Sequence, residues 1–186
     1  MAIAKKITFE GNKYYLGNKD RVAAFAALKE TGVDMNYKVP VISITDSTYS
    51  PTVAQSGTIF TLNRAAGIVV TLPAAAIGLK YEFYVETALT SNNYTVNAAS
   101  SDDTLTGAIR LIDIATLGSH IDNNDNVITT GISIPAAADH QIVTNKTTTG
   151  GLAGSYYRYR CVSDALWSVS GANICSSGAT LATPFT

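Results

Sequence analysis

Charge is scarce in this chain. Of 186 residues, 13 are Lys or Arg and 14 are Asp or Glu, so charged residues make up 15%. About 25% is typical of globular domains. A net charge of -1 argues against a general nucleic-acid binder, which needs excess Lys and Arg to neutralise phosphates. It argues equally against a polybasic membrane anchor. No apolar run approaches the ~20 residues of a membrane-spanning helix. Lys5 and Lys6 have no apolar stretch behind them, so Met1 to Phe9 does not read as a signal peptide. The expectation is a chain made and folded in a cytoplasm. Two cysteines, Cys161 and Cys175, are too few for a disulfide framework. Whether they meet depends on their separation, which the sequence leaves open.

Catalytic and metal-binding sets are equally sparse. Asp122, Asn124 and Asn126 resemble the start of a calcium loop. The pattern fails at Val127, where the loop needs Gly, and at Ser133, where it needs Glu. Asn and Asp clusters ordinarily make turns, so no metal is expected. His120 and His140 lack a second ligand at zinc spacing. Cys161 with His140 and Asp139 is conceivable as a thiol site, but a half-buried strand cysteine is the simpler reading. Glu82 with Glu86, and Asp102 with Asp103, are the available carboxylate pairs. The first reads as a solvated strand face and the second as a turn. No phosphate loop and no nucleophile elbow occur. The expectation is a protein that is not an enzyme and carries no cofactor.

Alternation is what the chain has in quantity. From Val39 onward the apolar period is near two, the strand signature. Thr58–Leu62 and Ile68–Leu72 flank Asn63–Gly67, a pattern that predicts a hairpin. Phe60, Leu62, Ile68, Val70 and Leu72 then share a core face. Ile59 and Val69 point the other way, toward a second layer or a partner. Tyr81, Phe83 and Val85 alternate inward against Glu82, Tyr84 and Glu86. Further strands are expected at Tyr94–Asn97, Leu105–Ile114, Ile128–Ile134 and His140–Thr144. Thr147–Gly154 reads as a flexible connection. Ser155–Val162 and Leu166–Ser170 predict a hairpin that turns at Ser163 to Ala165. On its first strand Tyr157 and Tyr159 face opposite to Arg158 and Arg160. On its second, Trp167 and Val169 share a face. No fixed-period repeat calls for a solenoid.

The first segment differs. It holds seven of the thirteen basic residues, two short strands at Ile7–Phe9 and Tyr14–Leu16, and one helix over Asp20–Thr31. Val22, Phe25 and Leu28 share a helical face. The predicted organisation is an N-terminal arm over 1–38, a β domain over 39–175, and a small polar tail over 176–186 that is mobile or lies on a neighbour. The fold class expected is mainly β: an antiparallel, jelly-roll-like β-sandwich or barrel with one short N-terminal helix.

Ser56 to Val96 carries a more specific signal. Gly57–Leu62, Asn63–Gly67, Leu72–Pro73, Gly78–Tyr81 and Ser91–Val96 form a succession that resembles a segment of small structural proteins of tailed bacteriophages. Capsid decoration (cement) proteins are the chief example. The closing hairpin, with Asp164, Trp167, Val169 and Gly171, is similar to the ends of such proteins. The resemblance implies a β-rich protein on the outer capsid surface of a virion. It also implies a homotrimer that bridges subunits of the major capsid protein and stabilises the expanded head. The candidate interface residues are Tyr14, Tyr15, Phe25, Leu28, Ile59 and Val69. The competing expectation is a tail-fibre or host-recognition module that binds glycans through Tyr84, Asp122 and Asn124.

Overall fold

The computed structural model describes residues 5–9 and 12–16 by their backbone, and 39–114, 130–176 and 180–186 more fully. The chain divides into two compact units, Met1–Lys38 and Val39–Thr186. In the first, β1 (Lys5–Phe9) and β2 (Asn12–Leu16) pair antiparallel, with Ile7 opposite Tyr14. The expected helix over Asp20–Thr31, with Phe25 and Leu28, lies outside the described residues. So do the side chains of Tyr14 and Tyr15.

The second unit is built from strands. They are β3 (Val41–Ile44), β4 (Thr48–Tyr49), β5 (Ile59–Leu62), β6 (Ile68–Thr71), β7 (Lys80–Val85) and β8 (Tyr94–Asn97). After these come β9 (Thr104–Asp113), β10 (Thr130–Ser133), β11 (Gln141–Thr144), β12 (Tyr156–Ser163) and β13 (Leu166–Cys175). One 3₁₀ turn, Val53–Gln55, interrupts them, and no α-helix occurs among the described residues. The larger sheet runs β10-β9-β13-β12-β7-β5-β3 and the smaller β11-β8-β6-β4. The fold is therefore mainly β, as expected, but its sheets are mixed rather than antiparallel.

The departure is concentrated at the predicted hairpin. β5 and β6 do not pair. β5 lies parallel between β3 and β7 in the larger sheet. β6 lies parallel between β4 and β8 in the smaller one. From β3 to β8 the chain alternates between sheets, one strand in each, like three turns of a short coil. Each parallel crossover thus runs through the other sheet instead of through the usual helix. Phe60, Leu62, Ile68, Val70 and Leu72 are all buried as expected, and all belong to one core cluster. They reach it from two sheets, not from two neighbouring strands of one.

Asn63 to Gly67 is accordingly a corner between the two sheets. Gly67 has φ +90° and donates its N–H to the Arg64 carbonyl at 2.9 Å. A side chain there would meet the Asn93 carbonyl oxygen at 2.5 Å. The buried Tyr94 hydroxyl sits 2.6 Å from the Thr87 carbonyl and 3.0 Å from that of Arg64, and so ties this corner to the segment that follows β7.

Within these strands the expected alternation holds. β7 has Tyr81, Phe83 and Val85 buried, with Glu82 half-buried and Tyr84 exposed. β12 buries Tyr157, Tyr159 and Cys161 and exposes Arg158 and Arg160. On the inner face of the larger sheet the aromatic rings form a row across adjacent strands. Phe60 stacks on Phe83 at 5.5 Å, Phe83 meets Tyr159 edge-on at 5.9 Å, and Tyr159 meets Trp167 edge-on at 6.4 Å. Tilted and edge-on geometries suit the ring quadrupoles, and such pairs add about 0.5–1.5 kcal/mol each beyond burial. The β12–β13 hairpin turns at Asp164 and Ala165, with Ala165 at φ +62°.

Two further expectations are corrected. Thr147 to Gly154 is not a loose linker. The Asn145 carboxamide oxygen accepts from the N–H groups of Thr148 and Thr149, and Asn173 Nδ2 donates to the Thr149 carbonyl at 2.8 Å. Gly150 and Gly151 are buried. Neither is the C-terminus a free polar tail. Phe185 is 2% exposed and bridges Ile142 antiparallel. Val143 N–H donates to the Pro184 carbonyl, and His140 and Gln141 donate to that of Thr186. The last residues thus cover the outer edge of β11. Covered edges resist pairing with other chains. Phe185 supplies the apolar anchor that the tail's small residues lack.

Candidate interaction surface

The groups singled out for chemistry are dispersed. Cys161 is buried, its thiol 3.2 Å from the Ser163 carbonyl. Asp139 Oδ2 instead accepts from the Ala136 N–H at 2.8 Å, and His140 Nδ1 lies 3.4 Å from the Ala138 carbonyl. No hydrogen bond or ion pair joins the three. Asp102 is exposed while Asp103 beside it is buried. Glu82 is held by Arg158. His120 and Asp122 to Asn126 lie outside the described residues. The described residues contain no cluster of three metal-ligating groups.

Cys161 and Cys175 are both free thiols. Cys161 lies opposite Trp167, whereas Cys175 ends β13 eight residues further on. At ~3.3 Å per residue that is roughly 26 Å along the strand. A disulfide requires Cα atoms within ~7 Å, so the two do not pair. Burial pushes both thiols up, Cys175 to about 11. A protonated buried thiol is a poor nucleophile. The native protein is therefore expected to react with a thiol reagent at pH 8 only as fast as it unfolds, and the denatured chain to release two equivalents at once.

The same burial sets a pH dependence. Tyr81, Tyr94, Tyr157 and Tyr159 are also raised, each chiefly by burial. Thiols and phenols ionise in the unfolded chain near 9 and 10, while in the folded chain they stay protonated. The unfolded state then binds fewer protons, so stability falls as pH rises above 9. Cys175 alone accounts for about 3 kcal/mol once pH passes 11. Urea midpoints should be flat from pH 7 to about 8.5 and drop steeply beyond.

The surface offers more than the interior. In the larger sheet Val41, Ile59, Glu82, Arg158, Ser170 and Ala108 occupy one cross-strand row. Their buried neighbours on each strand place this row on the outward face. Arg158 Nε bonds Glu82 Oε2 at 3.1 Å, and its guanidinium lies 5.0 Å from the Tyr156 ring centre. Glu82 raises the Arg158 pKa through that hydrogen bond. A groove of about 320 Å³ opens beside this pair, lined by Val39, Ile59, Lys80, Glu82, Arg158 and Arg160 among others.

Of the predicted interface residues, Ile59 and Val69 are the two whose side chains are described. Ile59 is half-buried on the outward face of the larger sheet. Val69 is 40% exposed on the outward face of the smaller one. Those two residues thus belong to different layers. The aliphatic residues that stand out most were missed. Ile132, Ile134, Ile77 and Val41 are 75%, 70%, 69% and 61% exposed. β-Branched residues read as core by default. Their one sequence cue was position, since Gly131 and Pro135 bracket a strand too broken to sit mid-sheet. β10 and β3 are indeed the two edges of the larger sheet. Comparison with known proteins returns no matching family model, no matching curated protein and no matching solved structure.

Proposed function

We propose that this chain is a non-enzymatic structural protein of a tailed-phage virion. On this reading it binds the outer surface of the capsid as a homotrimer and bridges subunits of the major capsid protein. Its two sheets act as the layers of a sandwich, and residues 1–38 as the shell-docking arm. The observation that carries the reading is the set of large aliphatics exposed on, or just beyond, the edge strands of the larger sheet: Val41, Ile132 and Ile134. Edge aliphatics on a chain with 15% charged residues suit burial in a permanent assembly. The phage-like succession of strands and corners from Ser56 to Val96 supports the same assignment. A clamp that binds only the assembled shell stabilises it by mass action and needs no activity.

Immunogold labelling of particles from the source virus tests this. Label across the head is the expected result. Label at the tail would instead favour a host-recognition module, and unlabelled particles would overturn the virion assignment. Because the chain divides at 38/39, a variant lacking residues 1–38 tests the arm. It should sediment with particles at least about tenfold more weakly than the full chain, the loss expected when one of two linked contacts is removed. Wild-type affinity would exclude docking through the arm.

A further inference from the structure

The groove beside β7 and β12 contains an electrostatic arrangement that the fold does not need. Lys80 and Arg160 are direct cross-strand partners. Their Cβ atoms are therefore about 5 Å apart on one face, and like charges placed so oppose pairing. Both side chains are exposed. The carboxylate within reach, Glu82, is engaged by Arg158 through both of its oxygens, at 3.1 and 3.4 Å. Among the described residues Lys80 and Arg160 have no acidic partner. Three of the six Lys and Arg residues in 39–186 line this single groove. In a charge-poor chain such clustering costs stability and calls for a compensating anion.

We propose that the groove receives a carboxylate side chain from an extended acidic segment of a partner protein. The identity of that partner as the capsid protein rests on the reading above. Three features select a protein carboxylate. The guanidinium of Arg160 offers the planar fork that matches a carboxylate. Val39 and Ile59 supply aliphatic walls for the flanking side chains of a peptide. With Glu82 included, the groove's net charge is about +2, which one or two carboxylates would neutralise. The neighbouring strand β3 ends the sheet order, so its outer side lies where an extended segment would run.

The test uses the full chain and three probes: the peptide acetyl-Val-Glu-Val-Glu-Val-amide, its Gln counterpart, and inorganic phosphate. Calorimetric titration should show the Glu peptide binding at least about tenfold more tightly than the Gln peptide, as expected for charge-assisted hydrogen bonds. The double variant Lys80→Gln/Arg160→Gln should lose that preference. It should also unfold at the same or a higher urea concentration, because the like-charge repulsion is gone. As a measurement free of mutation, Glu-peptide affinity should fall as salt rises from about 50 to 300 mM. Equal binding of the two peptides, tighter binding of phosphate, or an unaltered preference in the variant would each overturn the proposal. Particle sedimentation separates this claim from the broader reading. If the variant loses peptide but keeps wild-type particle binding, the capsid is not the groove's partner and decoration stands. If the wild-type chain binds the Glu peptide but no particles, the decoration reading fails and the acidic-ligand groove stands.

Discussion

Replacing Phe185 by alanine should destabilise Val39–Thr186 by about 3–5 kcal/mol, the usual cost of removing a buried phenyl side chain. The residue is one from the C-terminus and would be discarded by any reading that treats the end as a polar tail. It is nevertheless 2% exposed, belongs to the core cluster and bridges Ile142. Losing it also loosens the strap whose carbonyls, at Pro184 and Thr186, receive the N–H groups of Val143, His140 and Gln141. Domains of this kind are stable by about 5–15 kcal/mol in total, so the loss is a large fraction. Urea unfolding followed by Trp167 fluorescence reads it directly. An unchanged midpoint would mean that the terminal strap does not hold the β11 edge in solution. Thr186→Ala serves as the control, since that side chain is exposed and the change should stay within about 0.5 kcal/mol.

Gly107→Val is expected to be comparably damaging. Gly107 sits in β9 at φ +111°, a region closed to β-branched residues, and a Cβ there would overlap the Val169 carbonyl. Gly107 is the register partner of Val169 in the β9–β13 pair, which runs in parallel from Thr104/Leu166 to Asp113/Cys175. Backbone strain of about 1–3 kcal/mol adds to overpacking of about 1–3 kcal/mol. The sum is about 2–6 kcal/mol, a large fraction of the about 5–15 kcal/mol that holds such a domain folded. Soluble yield and near-ultraviolet dichroism of Trp167 should both collapse. Thr106→Val, one residue away on an exposed position, should retain the native signal. If Gly107→Val folded normally, the tight β9–β13 register would be wrong.

The candidate surface was only partly legible in the sequence. That Arg158 and Arg160 point away from Tyr157 and Tyr159 followed from alternation alone, and the structure agrees. That Arg158 meets Glu82 while Arg160 meets Lys80 did not, because 76 residues separate Arg158 from Glu82. Only the β7–β12 register brings these pairs together. Ile59 and Val69 were read as outward-facing, correctly. They lie on different sheets because β5 and β6 do not pair as the expected hairpin would. The coil left no periodic trace: Val41 to Ile59 is 18 residues, but Ile59 to Glu82 is 23. Unequal corners hide the repeat from any search at fixed spacing.

By itself, the sequence determined most of the strand segments and, in β5, β6, β7, β12 and β13, which face is buried. Those properties are local, since side chains alternate every residue and apolar groups leave water wherever the partner surface comes from. It also determined the corners, through glycine at Gly67 and the turn before Leu166. The tertiary structure alone decided which strands pair, in which direction, and which distant charges end in one groove. Backbone N–H and C=O groups are the same in every residue, so a strand edge is satisfied equally well by a parallel or an antiparallel neighbour. The choice falls to the packing of Phe60, Phe83, Tyr159 and Trp167 around a shared core. That packing exists only once all four strands have met.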